Sequence, residues 1–136
     1  MTQEQKQLLL IDLCARLPYG VKVQCGDYLF TFDKDHMGIG MLYKDFNMNP
    51  LESPKIILSG CYYGEDIKPY LFPLSSMTEE QKEEYCQLQQ RVIYNGKGVV
   101  NEDIMEYINW CYKNHIDIRG FISMGLANDC TNLNIY

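Results

Sequence analysis

No run of lysine or arginine, no C-x-x-C pair and only two histidines occur in this chain, and its longest apolar stretch, Leu8 to Ile11, is four residues. Each shortage removes a class of function. With 18 acidic against 12 basic residues the formal charge is -6, a field repulsive to phosphate backbones that no local basic cluster offsets. No DNA or RNA partner is expected. A DNA mimic would need a dense acidic surface, whereas these carboxylates interleave with Lys and Gln. The Leu8 to Ile11 run is too short for a signal-peptide core or a membrane span, so a cytoplasmic protein with no membrane attachment is expected. In that compartment the six cysteines, at 14, 25, 61, 86, 111 and 130, are expected as reduced, buried or half-buried thiols. With His36 and His115 the only imidazoles, no metal site and no cofactor are expected.

Three familiar loops are incomplete. Gly38-Ile39-Gly40 has Tyr43 where the dinucleotide fingerprint needs a third glycine, and Gly96-Lys97 has Arg91 where a phosphate loop needs its first. Ser75 and Ser76 lack the G-x-S-x-G elbow, which leaves them capping or turn roles.

What is present describes one domain over residues 1–136, with 46% hydrophobic and 12% aromatic residues for its core. Thr2 with Gln5 starts a helix over Gln3 to Leu17, in which Leu9, Leu10, Leu13, Cys14 and Leu17 recur at helical spacing. Pro18 and Gly20 end it. Val21 to Cys25 and Tyr28 to Phe32 alternate about Gly26-Asp27, a hairpin pattern. A third strand is predicted at Ile39 to Tyr43, a loop at Lys44 to Pro54, a fourth strand from Ile56 and a fifth at Ile67 to Leu71.

The prolines at 69 and 73 favour extended chain and cannot donate to a sheet, which predicts an edge strand or a rigid crossing. Thr78 with Gln81 then opens a helix over Thr78 to Arg91, and Asn95-Gly96 is a turn signal between Val92-Ile93-Tyr94 and Val99-Val100. Asn101 starts another helix ending near Asn114, and Asp117 caps a last one with Ile118, Phe121, Ile122 and Leu126 as its stripe, before a polar tail from Asn128. The predicted class is α+β: an N-terminal helix, an antiparallel meander of about four to five strands, then three helices packed on one sheet face.

Three blocks carry a resemblance: Leu13-Cys14-Ala15-Arg16-Leu17-Pro18-Tyr19-Gly20-Val21-Lys22, the stretch from Lys68 to Tyr85, and Trp110 to Ala127. They resemble an uncharacterised family of small proteins from gut bacteria and their phages, with blocks similar to L-C-A-R-L-P-Y-G-V-K, K-P-Y-L-x-P-L-S-S-M-T-E-E and W-L-N-x-x-H-x-D-x-R-G-L-I-x-x-G-L-A. The third block departs from that pattern at Cys111, Tyr112 and Phe121. The resemblance implies a mobile-element setting and an intracellular role, with host take-over or counter-defence as its context. It brings no reaction and no catalytic residues.

His115, Asp117 and Arg119 fall between the last two predicted helices, where an anion would meet an imidazole, a guanidinium and free helix amides; Lys68 joins them as a ligand-binding candidate. The structural alternative makes Asp117 an N-cap, pairs Arg119 with a carboxylate and sets His115 against the negative end of a helix. Cys111 and His115 share a helix face at a spacing that fits a nucleophile and base, but a helix C-terminus disfavours a thiolate. Among eleven tyrosines, Tyr62, Tyr63, Tyr94 and Tyr112 are the partner-surface candidates. The residues therefore point first to a non-enzymatic binding protein whose partner is a protein or a second copy in a homodimer. The alternatives are a sponge for a small anionic ligand such as a nucleotide, and a small hydrolase using His115 and Asp117.

Overall fold

The computed structural model describes residues 2–25, 28–32, 40–41, 50–51, 61–62, 65–94 and 101–136. Helix α1 (Gln3–Arg16) starts where Thr2 supplies its cap: the Thr2 hydroxyl accepts the Gln5 amide at 3.2 Å and the Gln5 side chain accepts the Thr2 amide at 2.8 Å. A 3-10 turn over Leu17–Tyr19 closes it, and Gly20, at φ 68°, turns the chain into the sheet.

Strands β1 (Val21–Cys25) and β2 (Tyr28–Phe32) form the predicted hairpin, antiparallel from Val21 opposite Phe32 to Cys25 opposite Tyr28. Strand β3 (Gly40–Met41) pairs with β4 (Pro50–Leu51), which falls in the stretch expected to be loop. The expected strand at Ile56 to Leu58 lies outside the described residues. Strand β5 (Cys61–Tyr62) pairs antiparallel with β6 (Glu65–Leu71).

The proline-bearing strand is interior rather than an edge. β6 has β1 along one side, and along the other it has β5 at its start and β7 (Asn128–Asp129), in parallel, at its end. Pro69 is tolerated because it faces Val23, a position that serves as a non-hydrogen-bonded pair, while the other side is registered only at Glu65-Asp66 and Tyr70-Leu71.

The Thr78–Gln81 capping box forms as predicted, with bonds of 3.2 and 3.0 Å, and opens α2 (Glu79–Tyr94). Val92 to Tyr94 continue that helix beyond its expected end at Arg91. The turn signal at Asn95-Gly96 lies outside the described residues. Helix α3 (Asn101–Lys113) lies against α2: the Tyr85 and Tyr107 hydroxyls meet at 2.9 Å, and the Trp110 indole donates to Glu84 at 2.7 Å.

The predicted helix after Asp117 does not form. Gly120 and Gly125, at φ 72° and 73°, bound a single turn, closed by Leu126 N–H to the Phe121 carbonyl at 2.9 Å and Gly125 N–H to the Ile122 carbonyl at 3.1 Å. Two left-handed glycines so close together leave no room for a second turn. Phe121, Leu126 and Ala127 are nonetheless buried, against Leu9 and Leu13 of α1 and Val21, Val23, Phe32, Ile67 and Leu71 of the sheet. Each large apolar side chain in that core contributes about 1.5 to 3 kcal/mol by leaving water. Cys111 and Cys130 are buried thiols, whereas Cys14 and Cys86, on outward faces of α1 and α2, are exposed. Among the described residues no helix is long and apolar enough to cross a membrane.

Candidate functional site

The side chains around His115 are organised by an ion pair that α1 carries on its buried face. Leu9, Asp12, Leu13 and Arg16 share one helical stripe and all four are buried. Arg16 donates from Nε to Asp12 Oδ2 at 2.6 Å and from Nη2 to Asp12 Oδ1 at 3.3 Å, with both side chains 0% exposed. Its Nη2 also donates to the Ile116 carbonyl at 2.9 Å, and its guanidinium lies 4.8 Å over the Tyr112 ring. Nη1 is buried without a partner.

Arg119 joins from the opposite side, with Nε 3.3 Å from Asp12 Oδ1 and Nη2 donating to the Tyr112 hydroxyl at 3.3 Å. Burial pulls its pKa down, but Tyr112 and Asp12 outweigh that and hold it above the ordinary value. Asp117 is spent locally: its two oxygens accept the Phe121 and Ile122 amides at 2.8 and 2.9 Å. It caps a turn where a helix cap was expected. Two guanidiniums thus share the one carboxylate of Asp12, while that of Asp117 is engaged by backbone amides.

His115 ends α3 in the left-handed conformation, at φ 56°. Its N–H bonds the Tyr112 carbonyl at 3.1 Å and the next amide, of Ile116, bonds the Cys111 carbonyl at 2.9 Å, a Schellman closure with histidine where glycine is usual. The imidazole stacks on Tyr136 at 3.7 Å and 16°, and its Nδ1 is buried without a partner. Burial, then the charges of Arg16 and Lys22, lower its pKa to about 4. Burial pushes the Cys111 thiol up to about 11. Both shifts disfavour a thiolate–imidazolium pair on this helix face at neutral pH.

His115, Asp117 and Arg119 are therefore neighbours, each with a structural assignment. No hydrogen bond or ion pair joins Lys68 to them; it sits opposite Gln24 between β1 and β6. Tyr112, expected on a partner surface, is 5% exposed, because it follows Cys111 on the face of α3 turned toward α1. The backbones of Tyr62 and Tyr94 belong to β5 and α2, and Tyr63 lies outside the described residues. Among the described residues no group of three or more His, Cys, Asp or Glu is arranged to hold a metal ion.

No protein-family model, curated protein or solved structure matches this chain. Its function has to be argued from its own geometry.

That geometry adds three residues that sequence reasoning missed: Asp12, Arg16 and Tyr136. The first two had a legible signal, an oppositely charged pair four apart on the Leu9–Leu13 stripe. Tyr136 had none, since its contacts are made with Lys22, Tyr70, Phe72 and His115.

Proposed function

We propose that this is a non-enzymatic cytoplasmic binding protein whose partner is a protein docking on the α2–α3 hairpin. One observation carries the proposal: of the described side chains of the 16-residue α2, Leu88 alone is buried. A helix held by one buried side chain has little folding reason to be so long, and a docking surface supplies one. Tyr85 packs tilted against Tyr107 and Trp110 along its seam with α3, at centroid distances of 5.5 and 6.1 Å, all three half-buried, and such rings dominate binding surfaces. Beside them Glu79, Glu80, Glu83 and Glu84 outnumber Lys82 and Arg91, and all six are exposed. The partner's complementary face is basic. The proposal takes the helices to cover one sheet face, and the resemblance of the sequence blocks extends it to a phage or mobile element acting on a host protein.

A small anionic ligand at Arg119 and Lys68 has a weaker basis, because Arg119 is already held by Asp12 and Tyr112 and Lys68 stands apart. The test is pull-down from host cytosol with the full chain, with Glu80→Lys/Glu83→Lys, and with Lys22→Glu. A partner retained by Lys22→Glu, lost by the double reversal and released by salt supports the reading. Equal retention by both variants, or recovery of the bait alone, defeats it. A concentration-dependent dimer lost by the same reversal would make the partner a second copy.

A further inference from the structure

The partner of β6 changes partway along one of its sides. On the β1 side the register runs Cys25–Ile67, Gln24–Lys68, Val23–Pro69, and its next rung would join Lys22 to Tyr70. Two residues on, Phe72 donates its N–H to the His115 carbonyl at 2.9 Å and accepts the Asp117 N–H at 2.9 Å, a parallel bridge to Ile116. Leu71 points to the other side, where its carbonyl accepts the Cys130 N–H at 3.0 Å. Tyr70 and Phe72 thus address the same side, as alternation requires, and that side forks at Tyr70 from β1 to the His115–Asp117 segment.

A phenol fills the fork. The Tyr136 hydroxyl accepts the Lys22 amide at 2.9 Å and donates to the Tyr70 carbonyl at 2.8 Å, taking the place of the missing rung. Its ring lies between His115, stacked at 3.7 Å, and Phe72, tilted at 5.9 Å. The segment that delivers it turns back at Asp129, whose carboxylate holds the Thr131 N–H at 2.9 Å, and residues 131–134 are exposed.

We infer that this fork is a recognition site for a phenolic side chain, occupied in cis by Tyr136 and available to a tyrosine of another polypeptide when the 131–136 segment lifts. The chemistry is selective. One backbone donor and one backbone acceptor converge on a single atom that must both accept and donate, and the stacked His115 imidazole demands a flat group beside it. A hydroxyl-free ring meets the second requirement and fails the first. The site is separate from the α2–α3 surface, so either proposal can fail alone.

The experiment uses the full chain carrying Tyr136→Ala, with p-cresol and toluene as probes. Loss of Tyr136 lowers the melting temperature; p-cresol restores it saturably and shifts the Lys22 amide resonance, and toluene does neither. Equal stabilisation by both probes, or by neither, overturns the inference. Tyr136→Phe covers the case in which the alanine variant does not fold: it keeps the ring and removes the bridge. The Lys22 amide should then exchange with solvent about tenfold faster than in the parent, the worth of one lost hydrogen bond. Unchanged exchange at Lys22 would also overturn it.

Discussion

Truncating Asp12 to alanine is the most severe perturbation that the cluster beneath His115 offers. Asp12 holds Arg16 through bonds of 2.6 and 3.3 Å and Arg119 at 3.3 Å. Arg16 is 0% exposed, so without the carboxylate its charge keeps the Ile116 carbonyl and the Tyr112 ring, and among the described residues its Nη1 already has no hydrogen-bond partner. Leaving one charge of a buried pair uncompensated costs about 3 to 5 kcal/mol. A domain with about 5 to 15 kcal/mol of total stability then loses about a fifth of it or more. Removing both charges is different, because Asp12→Leu/Arg16→Met also removes the desolvation cost of the guanidinium. The double variant is expected to be more stable than Asp12→Ala, despite carrying more changes. Arg119 keeps a third of its side chain in water and stays hydrated in both. Urea unfolding followed by circular dichroism, on the parent, Asp12→Ala, Asp12→Leu, Arg16→Met and the double, closes the cycle. Asp12→Ala within about 1 kcal/mol of the parent, or a double variant no more stable than the single, would refute the reasoning.

His115 sets an acid limit. Its folded pKa, about 4, lies below the ordinary 6.5, so the unfolded chain binds the extra proton between those values and stability falls as pH drops through that window. The full displacement corresponds to about 3 kcal/mol, which partial contact with water screens to about 2 kcal/mol. Denaturant midpoints at pH 7 and pH 4 should therefore differ less in His115→Asn, a residue that also accepts the left-handed conformation, than in the parent. Gly125, at φ 73° with nothing within 4 Å of an added Cβ, isolates backbone strain: Gly125→Ala should cost about 1 kcal/mol in thermal unfolding and Gly125→Asn less. Equal melting points for the two variants would contradict that account.

Local rules were enough wherever one element decides its own conformation. The two Thr–Gln capping boxes and the two-residue hairpin interval could be read directly, because their partners lie within three residues or directly across a turn. Reading failed where distant chain supplied the missing half. Pro69 argued for an edge strand, yet β1, β5 and β7 all find room around it by leaving its nitrogen unaddressed. The stripe Ile118, Phe121, Ile122, Leu126 has helical spacing, but its residues are bounded by glycines whose positive φ the periodicity ignores. Val92 to Tyr94 are β-branched and aromatic, and helix propagation from the capped start overrode that preference.

Candidates at the site were chosen by chemical type, and type does not reveal what a side chain already holds. Asp117 is satisfied by two amides, Arg119 by Asp12 and Tyr112, and His115 is neutral beneath Tyr136. Each group that could bind an anion is consumed in joining α1, the end of α3 and the turn at residues 120–125. The docking surface proposed above draws instead on exposed side chains, and α2 supplies them in a run: Glu79, Glu80, Lys82, Glu83 and Glu84 are all exposed at the start of a helix that buries Leu88. Charges on that surface can change at little cost to stability, since exposed pairs such as Lys82–Glu79, at 2.9 Å, contribute only about 0.2 to 1 kcal/mol. Substitutions in the Asp12 cluster lack that freedom. The proposed docking surface thus lies where sequence can vary without unfolding the chain, a freedom that the α2–α3 hairpin has and the Asp12 cluster does not.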